Sequence, residues 1–230
     1  MRKLVVVSAL FAAVVAAAAP ASARQSENPD TSDASAIVDL VTSLLPSATT
    51  ETCRQPLLEN PFAFLGDTLD YVLAPDGSFE GAGDAGWLLD GGASSTAGND
   101  PFPLHPEGTA DGSVLSLPSG ASAVSAPMCV DLNYPHFRIA VRQLPGEKGK
   151  FKGRLRVETM YPNSDNPRWR KVDMIRTSDE EWVVSDFLDL QPERGGSDPG
   201  GRQVSLRFSV QGGDGAFEID DVYVDPRFRV

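Results

Sequence analysis

The sequence is short of histidine and cysteine, with two of each in 230 residues, and short of basic residues, with 20 Lys and Arg against 32 Asp and Glu. The scarcity of histidine excludes a His-built zinc centre: His105 and His136 would need carboxylate partners that the spacing around them does not supply. The formal charge of −12 opposes binding to nucleic acid or anionic lipid. Local signatures of catalysis are missing as well. There is no Gly-x-Ser-x-Gly elbow, no His-Glu-x-x-His pair and no Gly-rich phosphate loop ahead of a lysine. The many carboxylates give no specific signal of a glycosidase pair, so a hydrolase ranks last among the functions considered. No internal repeat is present.

Long apolar runs are limited to one. Residues 1–23 combine a basic start at Arg2 and Lys3, an apolar stretch from Leu4 to Ala19, and Ala21-Ser22-Ala23, the pattern of a cleaved secretory signal peptide. The stretch is shorter than the roughly 20 residues a bilayer requires, and Pro20 closes it. Secretion to the extracellular side is therefore expected, with no membrane span in the mature chain. After cleavage about 207 residues remain, with 18 basic against 32 acidic side chains. That is enough for one domain with a sizeable core. In an oxidising compartment the two cysteines, Cys53 and Cys129, are expected to form one disulfide.

Along the mature chain, residues 24–33 are polar and aperiodic and read as a flexible leader. Residues 34–70 form an N-terminal helix and a connecting segment. Within it Ile37, Val38, Leu40, Val41, Leu44 and Leu45 fall at helical spacing behind Ser32 or Asp33 as a cap, and Pro46 stops them. From residue 71 to 230 the apolar period changes to two. Phe137–Val141, Leu155–Thr159 and Val204–Val210 alternate cleanly, and shorter candidates lie at Tyr71–Leu73, Trp87–Leu89, Val114–Leu117, Met128–Leu132, Val172–Ile175, Trp182–Leu188 and Phe217–Val224. Nine or ten short strands predict an all-β fold, a two-sheet antiparallel sandwich. Gly/Pro/Asp-rich stretches at 81–112, 145–150, 163–168 and 191–202 read as loops, the first long enough to carry function. Arg138, Arg142, Arg154, Arg156 and Arg207 occupy polar strand positions, as a basic stripe or as cross-strand pairing partners.

In the last strand the alternation is broken by Asp220-Asp221. Two adjacent carboxylates beside a packed face either turn to water or are neutralised by a cation. Leu73-Ala74-Pro75-Asp76-Gly77-Ser78-Phe79-Glu80 followed by Gly86-Trp87, and Gly215-Ala216-Phe217-Glu218-Ile219-Asp220-Asp221-Val222 near the end, resemble the opening and closing segments of jelly-roll carbohydrate-binding modules of the family 4, 9 and 22 type. Trp182 and Val204–Phe208 add to the resemblance, which covers residues 71–226. It implies a galactose-binding-like jelly roll and a structural calcium ion on Glu80 and Asp220, with Asp76 and Asp221 as further ligands. Asp76 departs from the family pattern, where Asn is usual.

Sugar sites stack aromatic rings on pyranose faces and hydrogen-bond the hydroxyls. Trp169, at a polar loop-to-strand junction, and the strand-ending Tyr134 and Tyr161 are the candidate ligand-binding residues, whereas Trp87 and Trp182 are assigned to packing. The expected function is a secreted, non-catalytic module for a carbohydrate or other cell-envelope component such as a wall polysaccharide. The alternative is an extracellular protein-binding or structural envelope domain.

Overall fold

The computed structural model describes residues 57–81, 86–105, 109, 111–130, 136–164, 166–190 and 202–225. The expected signal peptide, leader and N-terminal helix therefore lie outside the described residues, as do Cys53 and Tyr134. The described residues form thirteen strands: β1 (Val72–Leu73), β2 (Trp87–Asp90), β3 (Ser94–Ala97), β4 (Ser113–Leu117), β5 (Ser122–Ser125), β6 (Met128–Val130), β7 (His136–Leu144), β8 (Arg154–Met160), β9 (Arg170–Ile175), β10 (Val183–Val184), β11 (Leu188–Asp189), β12 (Arg202–Gln211) and β13 (Ala216–Val224). Among the described residues the only helical pieces are two single 3-10 turns, at Ala63–Leu65 and Glu147–Gly149. None is long and apolar enough to cross a membrane.

The strands form the expected two-sheet antiparallel sandwich of jelly-roll type. One sheet has the order β10-β7-β13-β4-β3, with β1 also on β13 and β11 on β7; the other has the order β2-β5-β12-β8-β9, with β6 on β12. Alternation dictates the core. Leu155 and Val157 from β8, Leu206 and Phe208 from β12, Ile139 and Val141 from β7, and Phe217 and Ile219 from β13 interleave between the sheets. Trp87 stacks on Phe208 with ring centroids 5.5 Å apart, and its indole N–H donates to the carbonyls of Pro75 and Asp76, 3.1 Å away in each case. Its assignment to packing holds.

A second apolar layer, which sequence periodicity did not announce, covers the outer face of the seven-stranded sheet. Phe62, Tyr71, Leu104, Ala140 and Tyr223 are buried there, with Leu69, Phe102, Trp182 and Val184 packed against them. Residues 57–71 therefore close over the sheet before the chain enters β1. Glu59 pairs with Tyr71 through two backbone hydrogen bonds, and the Phe62 ring meets Tyr71 and Tyr223 edge-on at 4.9 and 5.8 Å.

Arg142 and Arg207 pair across strands, one in each sheet, while Arg156 pairs along its own strand and Arg138 with Asp67, so they make no single stripe. Arg142 binds Glu218 at 2.6 Å, and Arg156 and Arg207 both bind Glu158, at 2.7 and 2.5 Å.

Candidate functional site

The break in alternation at the Asp pair is a β-bulge. The register of β13 against β7 shifts between Asp220 and Tyr223, and Asp221 adopts φ 50°, a left-handed conformation that Asp tolerates better than most residues. The extra residue lets Val222 return to the core while the two carboxylates stay on the outer side. The resembling segment at residues 73–80 meets this bulge. The Ala74 N–H donates to the Val222 carbonyl at 2.8 Å, and the Val222 N–H donates to the Gly77 carbonyl at 3.0 Å. Gly77 is required for that approach, because a Cβ there would sit 2.9 Å from the Val222 oxygen.

Around the bulge the long loop brings further acids. Asp220 is fully buried, and its Oδ1 and Oδ2 accept from the N–H groups of Asp221 and Asp100 at 3.0 and 3.4 Å. Asp221 Oδ1 lies 2.5 Å from His105 Nε2, and one donor atom each from His105, Asp111 and Asp221 fall within 4.8 Å of one another. Asp100 caps its own loop by accepting from the Phe102 N–H at 2.6 Å. Three buried carboxylate oxygens, one each on Asp100, Asp111 and Asp221, have no hydrogen-bond donor. Burial first, and repulsion from Asp221 and Asp100 second, push Asp220 up to about 9. Burial, against the Phe102 N–H and with repulsion from Asp221 and Asp111, raises Asp100 to about 7. Asp221 is raised by burial, although His105 opposes this. His105 is itself raised, chiefly by its hydrogen bond to Asp221.

A hard cation fits this chemistry. Calcium takes oxygen ligands, and the donor-less atoms of the cluster are all carboxylate oxygens, while His105 Nε2 is engaged by Asp221 Oδ1. Of the residues expected to hold a metal, Asp220 and Asp221 lie in the cluster. Glu80 Oε1 accepts from the N–H groups of Gly112 and Ser113, both at 2.6 Å, bracing the chain just after Asp111. Asp76 Oδ1 accepts from the Gly81 N–H at 2.9 Å and stabilises its own turn. Asp100, Asp111 and His105 had no sequence signal pointing to them, since each sits in a Gly/Pro-rich loop far from the bulge in the chain.

The same loop forms one wall of an open groove. A volume of about 710 Å³ is bounded by Leu65–Leu69, Phe102, Arg138, Val183, Val184 and Phe187. Phe187 is 58% exposed, and Phe64 stacks on Phe102 with centroids 5.8 Å apart. Arg138 organises the floor. Its guanidinium carbon is 4.9 Å from the Phe62 ring centre and 5.0 Å from that of Phe187, while Nε donates to the Ser185 carbonyl at 2.9 Å and one terminal nitrogen to Asp67 at 3.2 Å. Burial pulls Asp67 upward, but hydrogen bonds from Tyr71, the Leu69 N–H and Arg138 outweigh it and leave the carboxyl below its ordinary range. The His136 ring meets Phe187 edge-on at 4.5 Å, so the exposed phenyl is held on two sides.

The residues expected to touch ligand are not brought together here. Tyr161 is 4% exposed within the main core, its hydroxyl donating to the Leu190 carbonyl at 3.1 Å; the ring fills the sandwich and offers no free face. Trp169 lies with Val124, Met160 and Leu88 on the outer side of the other sheet, with Arg207 over its ring at 4.5 Å. Tyr134 and Cys53 are outside the described residues, and Cys129, half-buried in β6, is not a free cysteine.

No protein-family model matches the sequence, and no curated protein matches it. Among solved structures the chain is similar to a xylan-binding domain of carbohydrate-binding family 22, with 16% identity over 71% of this chain and 99% of that one and a TM-score of 0.44. It is also similar to the family 22 xylan-binding domain of Paenibacillus barcinonensis Xyn10C, with 14% identity, 69% and 99% coverage and a TM-score of 0.41. A third similar structure is the K1 cleaved adhesin domain of Lys-gingipain from Porphyromonas gingivalis, with 13% identity, 66% and 96% coverage and a TM-score of 0.44.

Proposed function

We propose that the protein is a secreted, non-catalytic binding module that takes a carbohydrate chain of the cell envelope in the groove beside β7, with a calcium ion in the neighbouring acidic cluster. The observation that carries the first part is the exposed Phe187 ring held against Arg138. A phenyl face attracts the C–H face of a pyranose, and Arg138, Asp67 and Thr68 are polar groups at its edge. Phe102 couples the two sites, since its N–H is held by Asp100 while its ring lines the groove. A cation on Asp100, Asp111 and Asp221 would fix that wall, a structural role with no part in chemistry. The likeness of residues 73–80 and 215–222 to carbohydrate-binding modules runs the same way. Export through a leader at residues 1–23 and a Cys53–Cys129 disulfide belong to the same proposal.

Sedimentation with insoluble polysaccharides tests the binding. Retention of the wild type on at least one glycan and its loss in Phe187→Ala support it, while no retention on any glycan removes it. A second reading, docking of an extracellular protein, is favoured by the aliphatic Leu65 and Val183 exposed along the groove. It predicts capture of a polypeptide that added oligosaccharide does not displace.

A further inference from the structure

A second cleft, of about 390 Å³, opens at the far end of the sandwich where both sheets contribute. Gln143 comes from the end of β7, Lys152 precedes β8, and Arg176, Thr177 and Ser178 follow β9. Gln143 and Arg138 are five residues apart on one strand, about 17 Å at a strand's rise per residue, so the cleft is separate from the groove.

Three features distinguish it. In a chain with a 12-charge excess of acid, the cleft is lined by two cations and no carboxylate. Neither Lys152 nor Arg176 forms an ion pair among the described residues. Gln143 is 1% exposed, and its amide orientation is fixed because Oε1 accepts from the Thr177 N–H at 3.2 Å. Its Nε2 is buried without an acceptor at the base of the cleft that Gln143 helps to line, beside Gly215. An amide donor left empty at that depth is costly unless a ligand supplies the oxygen. Ser178 Oγ lies 3.5 Å from Asp179 Oδ2. Phe151, Gly153 and Gly212 complete the wall.

We infer that this cleft binds an acidic sugar, a hexuronate unit whose carboxylate lies between Lys152 and Arg176 and whose ring rests on Phe151. The Gln143 amide and the Thr177 and Ser178 hydroxyls meet its oxygens. Arginine suits a planar carboxylate, and the volume lies in the range of small-molecule sites. The inference rests on the carbohydrate reading of the sandwich but names a different surface, so either site can fail alone.

Calorimetric titration of the exported protein with trigalacturonate, in low salt, tests it. Lys152 and Arg176 are exposed, so the K152A/R176A double variant keeps its fold, which its melting temperature checks. The expected result is a loss of about tenfold or more in affinity in the double variant, no change in Phe187→Ala, and weaker binding as salt rises. Absence of wild-type binding overturns the inference, as does equal binding by the double variant. Competition by sulfate at the same concentration as uronate also overturns it, since that marks a generic anion site.

Discussion

His105 Nε2 lies 2.5 Å from Oδ1 of Asp221, joining a loop residue to a β-bulge 116 positions later. Through this contact the bulge in β13 and the wall of the groove become one structure, and the fate of the acidic cluster decides whether that wall is fixed.

A cation on the cluster stabilises the folded state in proportion to its free concentration. Addition of calcium to chelator-stripped protein is expected to raise the melting temperature, and Asp221→Asn is expected to abolish that increment. Superimposable melting curves with and without calcium would exclude the site.

Without a cation, stability should fall with rising pH. Asp100 and Asp220 have folded pKa values of about 7 and about 9, above the ordinary carboxylate value. A raised folded pKa contributes stability that is full below about pH 4 and is lost as pH climbs through the folded value. His105, also raised, acts in the same direction. Denaturation of stripped protein should therefore give a midpoint that declines from pH 5 to pH 9, and saturating calcium should flatten the decline because the ion replaces the protons. A midpoint that rises over this window would contradict the account of the cluster.

Glu158 is buried at 1% exposure between Arg156 and Arg207. Glu158→Gln leaves two guanidinium groups without their counter-ion and is expected to cost about 3–5 kcal/mol in urea unfolding. A cost below about 1 kcal/mol would show that solvent already screens the pair.

Phe187→Ala should separate binding from stability. An exposed ring contributes little to folding, so the unfolding free energy should move by no more than about 0.5 kcal/mol while glycan retention disappears. A large stability loss would assign the ring to packing.

The sandwich was legible where strands alternate large apolar residues, as in β7, β8, β12 and β13. It was not legible at β3 and β5, whose sequences Ser94-Ser95-Thr96-Ala97 and Ser122-Ala123-Val124-Ser125 carry too little apolar contrast to mark a face. The expected Trp182–Leu188 strand divides into β10 and β11, both pairing with β7, and the break between them turns Phe187 out to solvent. Sequence pattern assigned that ring to a strand interior, so the best-exposed aromatic of the groove was passed over. The reverse error befell Tyr161, which precedes a Pro-Asn pair and reads as a strand-ending loop residue although it faces the core. The Asp220-Asp221 irregularity was visible, but its loop partners were not, because long-range pairing of loop carboxylates leaves no period in the chain.

Chemical-shift mapping with the glycan that retains the protein addresses the central claim most directly. Perturbations concentrated at Gly66, Asp67, Arg138, Val184 and Phe187 are predicted. Shifts confined to the surface around Trp169 and Arg207, or no shifts at saturating glycan, would contradict the assignment of carbohydrate to this groove.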